Sequence, residues 1–66
     1  MNRLGILAHQ ARELWGCTED TVALEDAAAA IAYCEKVESG ELPLIADEIA
    51  IYEARINSLL NLTNLK

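Results

Sequence analysis

The stretch Ile45-Ala46-Asp47-Glu48-Ile49-Ala50-Ile51-Tyr52-Glu53-Ala54-Arg55-Ile56-Asn57-Ser58-Leu59 decides the fold. Within it, Ile45, Ile49, Tyr52, Ile56 and Leu59 recur at intervals of four, three, four and three residues. That spacing returns side chains to one face of an α-helix, and an apolar seam of this kind docks on another helix. Helical packing therefore anchors the reading of the whole chain.

Working back from this seam, the helix is expected to open near Pro43, since proline suits the first helical position, where no backbone donor is needed. It is expected to run to Leu62 and to fray into Thr63, Asn64, Leu65 and Lys66. A second apolar stripe lies on the same predicted helix: Leu44, Ile51 and Leu62, set about 100° round the wheel. Glu48 and Arg55 lie between the two stripes.

Upstream, Thr18 offers a cap for a preceding helix, with Glu19 and Asp20 in its first turn, where the helix dipole favours acids. This second helix is expected to end at Glu38, before Gly40. Val22, Ala23, Leu24, Ala27, Ala28, Ala30, Ile31, Tyr33, Cys34 and Val37 cover most of its circumference. Only the strip near Glu25, Ala29, Ala32 and Lys36 reads as wet. A helix apolar nearly all round is buried on several sides, which places it at the centre. The short link around Gly40 implies that the second and third helices form a long antiparallel hairpin.

Nearer the start, Leu4, Leu7, Ala8, Ala11, Leu14 and Trp15 mark a shorter first helix. Asn2 is its candidate cap, Gly5 a weak point in its first turn, and Gly16 its stop. The expectation is an all-α fold, a single helical domain over residues 1–66. Its three helices lie near 3–15, 19–38 and 43–62: a short N-terminal helix plus the hairpin.

Length and composition then set limits. Sixty-six residues make one small domain, and 53% of them are hydrophobic, but eleven of those are alanine and there is no Phe. A single core in so short a chain rarely supplies more than ~3–5 kcal/mol, so a second subunit is a common remedy. Dimerisation into a helical bundle is expected, with Leu44, Ile51, Leu62, Tyr33 and Val37 as the interface. A heterologous protein partner is the other occupant to consider for that surface.

Eleven acidic residues against five basic ones give a formal net charge of −6. Gripping phosphate backbones or anionic membranes calls for clustered Lys and Arg, so neither nucleic acid nor membrane is an expected partner. Leu14-Trp15-Gly16-Cys17-Thr18-Glu19-Asp20-Thr21-Val22 loosely resembles the turn of a DNA-binding helix-turn-helix. It departs from that pattern at Arg12 and Glu25, and it would present Glu19, Asp20, Glu25 and Asp26 to phosphates.

Catalytic and metal chemistry are sparse. His9 falls on the polar side of the first helix, and His9, Cys17 and Cys34 lack zinc-ligand spacing. Cys34 reads as a core residue and Cys17 as an exposed thiol near a turn. Helical chain between them would hold them about 25 Å apart, too far for a disulfide. Reduced thiols and the lack of a leader-like or membrane-spanning stretch suggest a cytoplasmic protein. Asp26 sits inside the apolar arc of the second helix, with Arg12 or Arg55 its expected partner. These features suggest no catalytic, metal or cofactor site. They suggest a non-catalytic protein–protein interaction module, a homodimeric regulator or adaptor. The alternative is an acidic inhibitor, of the phage or plasmid antagonist type, blocking a basic or nucleic-acid-binding surface.

Overall fold

A hydrogen-bonded turn built on two short polar side chains separates the first two helices. Thr18 Oγ1 accepts from the Asp20 N–H at 3.2 Å, and Asp20 Oδ1 accepts from the Val22 N–H at 3.0 Å. In this computed structural model, which describes residues 3–64, α1 spans Arg3–Cys17, α2 Thr21–Glu38 and α3 Ala46–Asn64. No strand occurs among the described residues, so the all-α reading holds. The molecule measures 37 × 18 × 16 Å, the proportions of a short helical bundle.

The helix ends differ from the sequence expectation in instructive ways. Asn2, the candidate first cap, lies outside the described residues, as do Leu65 and Lys66. Gly16 does not stop α1, because it keeps a negative φ and the helix continues through Cys17. Asp20 rather than Thr18 caps α2, so Glu19 and Asp20 precede the helix instead of forming its first turn. Both residues are good caps; the charged oxygen of Asp20 additionally meets the positive end of the helix dipole.

At its far end α2 finishes as expected. Gly40 has φ +87°, its N–H donates to Val37 O at 3.2 Å, and the Glu41 N–H donates to Lys36 O at 2.9 Å. These paired bonds form a Schellman motif, which needs the left-handed residue that glycine supplies without strain. Helix α3 begins three residues later than proposed. Pro43, Leu44 and Ile45 lead into it, and Ile45 O accepts its first bond, from the Ile49 N–H at 3.1 Å. A start at Ala46 puts Asp47 and Glu48 in the first turn, where the helix dipole stabilises them.

The core consists of Leu4, Leu7, Ala8, Ala11 and Leu14 from α1, Ala23, Ala27, Ala30, Tyr33 and Cys34 from α2, and Ile49, Ile56 and Leu60 from α3. Tyr52 and Leu59 of the expected seam pack against it partly buried, while Ile45 stays exposed. The central element is α1, not α2: it packs against both other helices more closely than they pack against each other. Alanine explains the difference. Ala23, Ala27 and Ala30 form a stripe of small side chains, which lets the backbones of α1 and α2 approach while leucines of α1 fill the space. The strip at Glu25, Ala29, Ala32 and Lys36 faces solvent as expected. Val22 and Ala28, counted in the apolar circumference, are exposed too, so α2 buries one face only.

Candidate interaction surface

The second stripe is uncovered. Leu44, Ile51 and Leu62 are 65%, 61% and 65% exposed, so α1 does not shield them. Leu44 lies in the segment leading to α3 rather than on the helix, a consequence of the later helix start. Helix α1 instead covers the other side of α3, where Ile49 and Ile56 are buried.

The two remaining interface candidates are placed differently. Tyr33 is only 6% exposed within the single chain and belongs to its core. Val37 is half-buried and packs against that core. The five residues therefore do not make one patch. Leu44 and Val37 line a groove of about 500 Å³ with Arg3, Leu4, Ala46 and Ile49. Ile51 and Tyr33 line another of about 430 Å³ with Leu42, Glu48, Tyr52 and Arg55. Leu62 lies at a third, beside Thr18, Asp20 and Ala23.

Sequence reasoning missed several exposed apolar side chains: Ile6, Trp15, Val22, Leu42 and Ile45. Leu42 carried a readable signal, since it precedes Pro43 in a turn segment whose only charged neighbour is Glu41. Trp15 and Val22 carried none; both fall on helical apolar positions that the packing happens to turn outward.

The polar groups hold the helices to one another. Arg3 Nε donates to Glu53 Oε1 at 3.0 Å, tying the start of α1 to α3. Arg55 Nη1 lies 3.6 Å from Asp26 Oδ1, joining α3 to α2; the Arg55 side chain is 56% exposed and that of Asp26 25%. Of the two partners foreseen for Asp26, Arg55 is the one the structure supplies, at a partly wet edge. Partly exposed pairs of this kind contribute about 0–1 kcal/mol each and act mainly on register.

His9 is exposed on α1. Among the described residues no group of His, Cys, Asp or Glu side chains could hold a metal ion. Both cysteines are free, Cys17 exposed and Cys34 buried. Cys34 Sγ lies 3.7 Å from Leu4 O, and burial raises its pKa, with Glu38 adding to the effect. The Tyr33 hydroxyl is buried near Glu48 and the Ile45 backbone but makes no well-formed hydrogen bond. Desolvation raises its pKa first, and the negative charge of Glu48 adds to the rise. No helix of the described residues is long and apolar enough to cross a membrane.

No family model matches this chain, and no match was found among curated proteins or solved structures.

Proposed function

We propose that the chain is a non-catalytic helical interaction protein, a homodimeric regulator or adaptor working in the cytoplasm. The observation that carries this reading is the set of large apolar side chains left in water, above all Leu44, Ile51 and Leu62. Each lines a surface groove, and exposed apolar surface of this kind marks association sites in soluble proteins. In so small a chain, a partner would also add core that the chain lacks alone.

The dimer would be built on α2 and α3 as an antiparallel hairpin. Two contacts support that pairing: Tyr33 stacks on Tyr52, and Asp26 meets Arg55, so later positions in α2 face earlier ones in α3. Two such units would make a larger bundle about a two-fold axis, the commonest closed symmetry. Sedimentation equilibrium across micromolar concentrations tests the reading. A dimer–monomer equilibrium with little salt dependence supports it, and a monomer throughout overturns it.

The acidic-inhibitor reading draws on the −6 charge. Several acids already have local roles, however: Asp20 caps α2, Asp47 and Glu48 open α3, and Asp26 and Glu53 pair with arginines. That local use favours the homodimer.

A further inference from the structure

The groove beside Ile51 has an acid at one end and a base at the other. Glu48 and Arg55 lie seven positions apart on α3, about 10 Å along the axis and about 20° apart around it. Ile51 and Tyr52 stand midway between them, and Leu42 and Tyr33 complete the lining. Glu48 and Ile51 are exposed, and Arg55 reaches Asp26 through one guanidinium nitrogen while more than half of its side chain faces water.

Such a face is complementary to itself under one operation. Turn a second copy of α3 antiparallel about a two-fold axis between Ile51 and Tyr52. Position 48 of each copy then meets position 55 of the other, and Ile51 of one copy lies beside Ile51 of the other across the axis. An isologous interface requires this reciprocity, in which residue i contacts j and j contacts i. A parallel arrangement would instead set Glu48 against Glu48 and Arg55 against Arg55.

We infer that the occupant of this groove is a second copy of the chain, docked antiparallel through α3, with Glu48 of each protomer against Arg55 of the other. The inference rests on the homodimer reading and deepens it by assigning the face and its register. Ile51 and Leu42 supply the apolar centre, and the reciprocal ion pairs fix orientation. Arg55, planar and forked, has donors to spare for both its own Asp26 and the partner's carboxylate.

The test uses Glu48→Arg and Arg55→Glu in the full chain, with circular dichroism to check folding and analytical ultracentrifugation to read association. Each variant alone sets like charges opposite one another at two places and should weaken its own dimer by about tenfold or more. An equimolar mixture restores opposite charges at both places and should form a heterodimer tighter than either homodimer. If the wild type dimerises but neither substitution weakens it, this face is overturned while the homodimer reading stands. If the wild type stays monomeric, both fall, and the groove passes to a different protein.

Arg55→Glu brings a carboxylate to Asp26 of its own chain and can unfold the protein. A second measurement is therefore made in a Cys17→Ser background, which leaves Cys34 buried. Air oxidation should link an Ile51→Cys variant into a covalent dimer and leave a Leu62→Cys variant monomeric. Cross-linking at position 62 but not at 51 overturns the assigned face.

Discussion

Tyr33 of α2 stacks on Tyr52 of α3 with ring centroids 4.8 Å apart and planes inclined by 27°. This aromatic pair pins together the two helices that otherwise touch least. Stacked rings contribute about 0.5–1.5 kcal/mol beyond their buried area. Tyr52→Ala should therefore destabilise the protein by about 2 kcal/mol in a urea titration. Tyr33→Phe should behave oppositely. It keeps the ring and removes a buried hydroxyl that makes no well-formed hydrogen bond, so stability should hold or rise by up to about 1 kcal/mol.

The two faces of α3 predict opposite outcomes for the same substitution. Ile56 is fully buried, so Ile56→Asp places an unpaired charge in the core, a cost of several kcal/mol against a marginal total. The variant should be unfolded by circular dichroism at room temperature. Ile51→Asp on the exposed face should keep the helical spectrum of the folded monomer. His9→Ala should change stability by no more than about 0.5 kcal/mol.

The ends of α2 give a third prediction. Asp20→Ala removes the cap on the Val22 N–H and should cost about 1 kcal/mol. Gly40→Ala should cost a similar ~1 kcal/mol for a different reason. A Cβ there meets nothing within 4 Å, so the penalty is purely the left-handed backbone. Thermal melts of the two variants should show comparable drops.

Alkaline pH should weaken the fold. Cys34 and Tyr33 both have raised pKa values in the folded chain, mainly through burial. Below their ordinary values of 9.0 and 10.0 both groups are neutral in either state and add no pH dependence. As pH rises past those values the unfolded chain ionises first, and stability is lost through the raised folded values. The melting temperature should fall from about pH 9 upward. At neutral pH an aromatic disulfide reagent should label Cys17 at once and Cys34 only after denaturant is added.

Much of this architecture is legible in the sequence, and the losses have physical causes. The seam through Ile49 and Ile56 is readable because large aliphatic residues at helical spacing have few other uses. The exposed Ile51 and Leu62 are readable because one helix cannot bury two stripes against one neighbour. The centrality of α1 is not, because it depends on Ala23, Ala27 and Ala30 being small rather than strongly hydrophobic. An alanine stripe and a weakly apolar surface look alike until a leucine-bearing helix is laid against them. The α2 wheel is apolar nearly all round and so does not tell that Tyr33 faces inward; its stacking on Tyr52 turns it in. Pro43 suits a helix start and so points to a helical Leu44, but the acids at 47 and 48 favour a later start.

Because α1 is the shared partner of the other two helices, neither α2 nor α3 can complete the core without it. Local opening of α1 would uncover the alanine stripe of α2 and Ile49, Ile56 and Leu60 of α3 at once. The chain therefore has no separable sub-unit that could open alone and leave the rest folded, and amide exchange in α1 should report the same opening free energy as the core of the whole molecule.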